Sequence, residues 1–270
     1  MTIITNYICS EIDLPMCKYI SDSVCRCSSR YEMIGNLKIY SPTFLGLTLS
    51  NIGMIYWMVE HVKKMCSTIG RSEMKFFYYL YALSNFLMLV LVSLKDQIEK
   101  IHFILTTIQS VVSTMCVFSL LVGSFTQDMF VGKWGIQSTS ILYLSTAIYG
   151  FFSTIVVFFG LFCKISLPIF LICFILNFIF GYSYYVIQFR KLNKIRGEIW
   201  AYGTILISLI FFLLSCACMF INSTFIAVLS DKYIDNLFFH CLFLFCAVVM
   251  IHKFWLSVCD YEVECLVLDV

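Results

Sequence analysis

Long apolar stretches separated by short charged segments dominate the chain from residue 42 onward. A helix that crosses a bilayer core about 30 Å thick needs roughly 20 apolar residues, because its backbone groups must pair within the segment. Seven stretches qualify. The fifth begins after a reversal at Lys164 and Pro168 and ends at about residue 187, and the other six cover residues 43–59, 76–94, 101–125, 136–163, 199–221 and 236–255. The pattern predicts an all-α membrane protein built as a bundle of seven transmembrane helices.

Three segments make up the expected domain organisation. Residues 1–41 form a cysteine-rich N-terminal tail, residues 42–256 form the seven-helix transmembrane domain, and residues 257–270 form a short acidic tail. The N-terminal tail mixes charged and apolar residues and lacks a continuous apolar segment, so no cleavable signal peptide is expected. The first apolar span is therefore expected to direct the chain into the membrane.

Composition supports a membrane protein and argues against other classes. Hydrophobic residues make up 61% of the 270 residues and charged residues only 13%, whereas soluble domains carry about 25% charged residues. A water-soluble domain of this size could not bury so many apolar side chains. The net charge of +2 is small and the basic residues are scattered, so no nucleic-acid partner is expected.

The distribution of basic residues between loops predicts the orientation of the chain. Lys and Arg gather in cytosolic loops of membrane proteins. The odd-numbered loops contain Lys63, Lys64, Arg71, Lys75, Lys133, Arg190, Lys191, Lys194 and Arg196, whereas the even-numbered loops contain only Lys95, Lys100, Lys164 and Lys232. We therefore expect a lumenal or extracellular N-terminus and a cytosolic C-terminus.

Four cysteines, Cys9, Cys17, Cys25 and Cys27, lie in the N-terminal tail. An oxidising lumen would permit two disulfides among them, and three pairings are open. A bond between Cys25 and Cys27 is sterically poor, because residues two apart rarely meet disulfide geometry. Free thiols or a metal site are the alternatives, although the C-x-C spacing is a poor match to zinc sites.

Small residues recur at helical spacing along one face of the first span. This face contains Gly46, Ser50, Gly53 and Trp57. Small side chains allow the backbone of a second helix to approach closely, which is a common basis for helix association in membranes. We expect this face to pack against another helix, either of this chain or of a partner.

The spans contain polar but no charged residues in their middle portions. Ion-coupled transporters usually keep charged side chains there. Hydrogen bonding between packed helices is the expected role of the polar residues Asn51, Asn85, Gln109 and Asn177. The four histidines, His61, His102, His240 and His252, fall near span ends, where an imidazole can reach water.

Motifs that carry chemistry are missing from the sequence. It has no glycine-rich phosphate loop, no H-E-x-x-H and no G-x-S-x-G. The loops are also too short to form a domain that holds a soluble substrate. We expect no enzymatic activity, no cofactor and no metal.

Three strings of residues carry a resemblance to a known family. They are Ile8-Cys9-Ser10 with Leu14-Pro15-Met16-Cys17, then Ile69-Gly70-Arg71-Ser72-Glu73, and finally Tyr233-Ile234-Asp235-Asn236-Leu237-Phe238-Phe239 leading to Lys253 and Trp255. In these strings the chain resembles the chitin synthase export chaperones, seven-span membrane proteins of the fungal endoplasmic reticulum. The alternative role for Arg71 and Glu73 is a solvated helix start.

The resemblance implies a binding function. Such a protein binds a polytopic chitin synthase, supports its folding and its exit from the endoplasmic reticulum in coated vesicles, and thereby supports chitin and cell-wall synthesis. It implies residence in the endoplasmic reticulum membrane, and also in the plasma membrane when the chaperone travels with its client. Asp260, Glu262 and Glu264 are candidates for an acidic export signal read by vesicle coat proteins. The short tails and loops are typical of a reduced genome, such as that of a microsporidian.

Two other classes share the seven-span layout. A seven-transmembrane receptor is the main alternative, but the chain lacks a D-R-Y-like triplet after the third span and an N-P-x-x-Y in the seventh. A small transporter is the other alternative, and it is disfavoured by the lack of intramembrane charges.

Overall fold

A computed structural model describes residues 2–21, 31–34, 37–64, 70–95, 98, 101–130, 138–195, 199–221 and 233–268. The N-terminal region contains two short helices, α1 (Thr2–Glu11) and α2 (Cys17–Ile20), and an antiparallel hairpin of β1 (Tyr31–Ile34) and β2 (Leu37–Tyr40). The hairpin pairs Tyr31 with Tyr40 and Ile34 with Leu37. Among the residues that the structure describes, this hairpin is the exception to the expected all-α chain.

Longer helices make up the rest of the chain. They are α3 (Pro42–Lys64), α4 (Arg71–Ser93), α5 (His102–Phe130), α6 (Ser138–Phe162), α7 (Ser166–Phe170), α8 (Asn177–Ile195), α9 (Ile199–Cys218) and α10 (Asn236–Leu268). A π-helical segment, Leu171–Leu176, joins α7 to α8 without a break in the helical path.

Six helical segments are long and apolar enough to cross a membrane. They are Arg71–Ser93, His102–Thr126, Thr139–Phe162, Ser166–Lys194, Ile199–Cys218 and Asn236–Val258. Helix α3 is not among them, although its 23 residues would extend about 35 Å. Its polar residues, including Thr48, Ser50 and Asn51, lower its hydropathy. The structure is that of a multi-span helical membrane protein, and the count of seven stays a prediction.

Helix α3 nevertheless belongs to the bundle. Its buried residues recur every three or four positions, as expected for a helix that packs on one side: Phe44, Thr48, Asn51, Ile55, Met58, Val59 and Val62. This side contacts α4 and α10, while α10 also packs along α9. Helix α5 lies between α4, α6 and α8.

Residues 2–21 fold against one end of the bundle, which we call the capped end. Ile8, Ile12 and Leu14 are buried there in a cluster with Phe44 of α3 and Leu237 of α10. The sequence predicted a cysteine-rich tail outside the transmembrane domain, because charged residues interrupt its apolar ones. The structure instead shows that these apolar residues cover the helix ends.

A tight reversal connects α6 to α7, as the sequence predicted. Lys164 adopts a positive φ of 55°, and the Ile165 amide donates to the Gly160 carbonyl oxygen at 2.9 Å. Helix α7 then folds back so closely that a Cβ atom at Gly160 would lie 2.7 Å from Cγ1 of Ile169. Glycine at position 160 therefore permits this contact.

Candidate functional site

Two of the motif residues, Glu73 and Trp255, line one cavity of about 50 Å³ near the end of the bundle opposite the capped end. Gln188 of α8 contributes to the same wall. Glu73 is buried, with Gly123 of α5 beside it. The alternative of a solvated helix start is therefore wrong for Glu73, because the first turn of α4 packs inside the bundle.

Gly70 and Arg71 lie at the start of α4. Gly70 has a φ of 77°, a left-handed conformation that glycine adopts without strain. Arg71 Nη2 donates to the backbone oxygen of Lys63 at 2.6 Å. This bond satisfies one of the carbonyl groups that the end of a helix leaves unpaired. Ser72 is half-buried in the same first turn of α4.

A chain of hydrogen bonds crosses the interior from α4 to α3. The Tyr78 hydroxyl lies 2.8 Å from His252 Nδ1, and His252 Nε2 lies 3.3 Å from His61 Nδ1. Either direction of donation gives a consistent chain, since each imidazole can donate from one nitrogen and accept at the other. Three helices, α3, α4 and α10, are joined by these two contacts.

Two tryptophans flank the histidine pair. Trp57 stacks on His61 with ring centroids 5.3 Å apart, and Trp255 stacks on His252 at 6.4 Å. His252 is buried, and so is His102 near the capped end. The expectation that these two imidazoles reach water is therefore wrong, because the bundle supplies their hydrogen-bond partners.

The capped end contains a disulfide between Cys9 and Cys17. Both cysteines belong to the first motif string, and the bond closes the segment that carries Leu14 and Pro15 across the helix ends. Cys25 and Cys27 lie outside the described residues. The sequence left three pairings open, and the poor geometry of a Cys25–Cys27 bond argued against the one that contains Cys9–Cys17.

Polar contacts reinforce the capped end. Lys95 Nζ lies 3.1 Å from Asp13 Oδ2, and the Tyr19 hydroxyl lies 2.9 Å from His102 Nδ1. The Phe238 amide donates to Asp235 Oδ1 at 2.9 Å, so this motif residue caps α10. Burial raises the pKa of the Asp235 carboxyl, and the charge of Asp13 raises it further.

The exposed side of α3 carries the four residues expected to form a helix-packing face. Gly46, Ser50, Gly53 and Trp57 all lie on this side. No other part of the described chain lies within 4 Å of the place that a Cβ atom would take at Gly46 or Gly53. A second helix could therefore approach the α3 backbone closely along this face.

Two of the four mid-span amides donate to the preceding turn of their own helical path and not to a second helix. Asn85 Nδ2 donates to the Tyr81 carbonyl oxygen at 2.8 Å, and Asn177 Nδ2 donates to that of Cys173 at 2.8 Å, each within one helical path. Asn51 is buried, and its amide atoms have no partner among the described residues. Short side chains on helices reach their own preceding turn more easily than a neighbouring helix.

The acidic residues Asp260, Glu262 and Glu264 lie within the last turns of α10, which continues to Leu268. Their side chains lie outside the described residues. Within the described part of the chain, no three His, Cys, Asp or Glu side chains come close enough together to hold a metal ion.

Comparisons with known proteins point to one family. A family model described as chitin synthase export chaperone matches residues 5–268. Relatives with the name chitin synthase export chaperone occur in Emericella nidulans (23% identical), Phaeosphaeria nodorum (23%) and Aspergillus fumigatus (22%), and each alignment covers 95% of this chain and 82% of the relative. No solved protein structure matches the chain significantly.

Proposed function

The chain belongs to the chitin synthase export chaperone family, and from this membership we infer that it binds a chitin synthase in the membrane and supports its export. The observation that carries this function is a family match that extends over both ends and all the long helices. As an export chaperone, the protein acts by binding and not by catalysis. The receptor and transporter alternatives have no support from the relatives.

We propose that α3 is a seventh membrane-spanning helix and that the capped end faces the lumen. The length of α3 and its packing against α4 and α10 support the first part. The Cys9–Cys17 disulfide supports the second part, because such bonds persist in oxidising compartments. The excess of Lys and Arg in the odd-numbered loops supports the same orientation, with a cytosolic C-terminus.

The exposed side of α3 is the proposed contact with the client. It combines Gly46, Ser50 and Gly53 with the exposed apolar side chains of Tyr56 and Trp57. Helices associate in lipid through close packing and hydrogen bonds, because the hydrophobic effect does not distinguish a helix from lipid tails. A helix less apolar than its neighbours gains most from a protein partner on its exposed side.

Co-purification tests both the function and the face. The protein and a chitin synthase are expressed together, and the synthase recovered in mild detergent is measured. We expect the wild-type protein to recover the synthase. The double variant Gly46→Leu/Gly53→Leu should recover roughly tenfold less, which corresponds to about 1.4 kcal/mol.

A matched control is Ala147→Leu, which enlarges a small side chain on the exposed side of α6. This variant should recover as much synthase as the wild-type protein. Equal recovery with all three proteins would reject the α3 face while leaving the chaperone function intact. The chaperone function would be rejected if the wild-type protein recovered no synthase. It would also be rejected if the protein recovered a G protein or transported a solute instead.

We also propose that the protein resides mainly in the endoplasmic reticulum membrane and passes to the plasma membrane alongside the client. Asp260, Glu262 and Glu264 form the proposed export signal, which vesicle coat proteins bind. Replacing these three acids with alanine should retain the protein in the endoplasmic reticulum, as measured by fluorescence microscopy. The control replaces Asp269 alone. Normal exit of the triple variant would reject the signal.

A further inference from the structure

A cavity of about 110 Å³ lies inside the half of the bundle next to the capped end. Residues of α4, α5, α8 and α10 form its walls, together with the π-helical segment that precedes α8. A single water molecule needs only about 10–15 Å³ of such space. The cavity can therefore hold a group of several non-hydrogen atoms.

The walls of this cavity, which we call the polar chamber, carry neutral hydrogen-bonding groups. Its polar lining includes Ser84, Asn85, Gln109, Ser110, Ser113 and Asn177. None of the described residues that line it is Asp, Glu, Lys or Arg, and its histidine, His240, has Nδ1 2.8 Å from the Ser215 hydroxyl of α9. An ion placed there would lose its hydration without gaining an opposite charge. The chamber therefore favours an uncharged ligand.

Two buried polar atoms in these walls have no hydrogen-bond partner among the described residues: Ser110 Oγ and Asn177 Oδ1. Ser110 is only 3% exposed. A buried polar group without a partner costs free energy, and native proteins rarely collect such groups in one place. A hydroxyl group suits both atoms, because a hydroxyl both donates and accepts.

A second cavity, of about 70 Å³, adjoins the polar chamber and shares Tyr81, Ser84, Ser113 and Leu244 with it. Its remaining walls are mainly apolar and include Phe77. We call it the apolar chamber. The polar and apolar chambers together could therefore hold the polar and apolar parts of one amphipathic molecule.

The N-terminal segment covers one side of the polar chamber. Leu14, Pro15 and Met16 line the side of the chamber next to the capped end. They lie between the two cysteines of the Cys9–Cys17 disulfide. The loop that the disulfide closes therefore forms part of the chamber wall.

We propose that the polar chamber binds a neutral, hydroxyl-bearing group, with the apolar chamber holding the start of a hydrocarbon chain attached to it. The ligand chemistry is that of glycerol hydroxyls, which occur both in the head group of an uncharged lipid and in a free polyol. This site is independent of the client contact proposed on α3.

Native cysteines provide the test, since Cys173 and Cys241 line the polar chamber. The purified protein in detergent is treated with methyl methanethiosulfonate, and the modification of each cysteine is followed by mass spectrometry. The probes are 1-oleoylglycerol, ethyl oleate and glycerol. Ethyl oleate carries the same chain without free hydroxyls. Cys218 is buried but lines neither chamber, so it is the internal control.

At ten times its Kd, 1-oleoylglycerol should slow modification of Cys173 and Cys241 roughly tenfold, because about a tenth of the sites stay free, and should leave Cys218 unchanged. Ethyl oleate should not protect. Protection by glycerol as well as by the lipid would assign the site to a free polyol. Equal protection by ethyl oleate, or no protection by any probe, would overturn the proposal.

A variant pair on α5 tests the role of the unpartnered hydroxyl. Ser110→Ala should weaken the protection by 1-oleoylglycerol several-fold. Ser119→Ala is the matched control, because Ser119 is also buried on α5 but donates to the Cys116 carbonyl oxygen at 2.8 Å and lies outside the polar chamber. Unchanged protection in Ser110→Ala would contradict a hydrogen bond between the Ser110 hydroxyl and the ligand. The experiment on the wild-type protein does not depend on either variant.

Discussion

Tyr78 Oη lies 2.8 Å from His252 Nδ1, and this contact joins α4 to α10 across 174 positions of sequence. Both side chains are buried. His252 extends the contact to His61 of α3, so one imidazole connects three helices. This connection lies directly behind Trp57 on the exposed side of α3.

Removing the imidazole should destabilise the bundle. His252→Leu leaves the Tyr78 hydroxyl buried without its partner, and we expect a loss of about 1–3 kcal/mol in the free energy of unfolding. The double variant Tyr78→Phe/His252→Leu should lose less than the sum of the two single variants. Thermal denaturation in detergent measures all three.

Tyr56→Phe is the control for this pair, since Tyr56 is 68% exposed. It should have the stability of the wild-type protein. Strict additivity of the Tyr78 and His252 effects would contradict a direct coupling between them.

Replacing either of two helical glycines by alanine should change the stability of the protein in very different ways. Gly53→Ala should be neutral or slightly stabilising, because the space beside it is open and alanine is the better helix former. Gly160→Ala should lose about 1–3 kcal/mol, because its Cβ would lie 2.7 Å from Cγ1 of buried Ile169. Melting temperatures in detergent compare them, and equal values would contradict the close packing of α6 on α7.

Asp235 should make the stability depend on pH. Because burial raises its pKa in the folded protein, the fold binds this proton more tightly than the unfolded chain does. The contribution of this group to the free energy of unfolding should therefore have its full value below the ordinary carboxyl pKa of about 4. This contribution should be lost as the pH rises through the raised pKa of the folded protein. Melting temperatures measured from pH 4 to pH 7 test this.

Substitutions separate the charge of Asp235 from its role as a helix cap. Asp235→Asn should remove this pH dependence and be at least as stable as the wild-type protein at pH 7, because asparagine also caps helices. Asp235→Ala should be about 1 kcal/mol less stable than Asp235→Asn. Lower stability of Asp235→Asn than of the wild-type protein at pH 7 would show that the fold stabilises the carboxylate.

The disulfide should hold the N-terminal segment in place. Cys9→Ser/Cys17→Ser removes a bond between residues eight positions apart, and we expect the segment to lose about 2–3 kcal/mol of local stability. Hydrogen exchange of residues 2–21 should become correspondingly faster. The control is Cys163→Ser, which replaces an exposed free cysteine and should leave the exchange rates unchanged. Unchanged exchange rates in the double variant would show that the disulfide has no structural role.

Hydropathy by itself predicted most of the long helices, because crossing a bilayer imposes a requirement on each segment separately. Hydropathy also predicted the helix that begins at Asn236. The reversal was predicted from Lys164 and Pro168, and the common side of the small residues of α3 from their helical spacing. Gly70 and Asp235 were also recognisable as motif positions. Their local roles, a left-handed turn and a helix cap, depend on only a few neighbouring residues.

Only the tertiary structure decided how the helix faces combine. Lipid and protein interior are both apolar, so the sequence could not distinguish a buried face from an exposed one, nor place Glu73 in one cavity with Trp255, or Tyr78 beside His252. It also could not select Cys17 as the partner of Cys9, or reveal that Ser110 and Asn177 share one chamber. Each of these relationships joins residues from separate segments, and distance in space between segments is set by packing and not by local pattern.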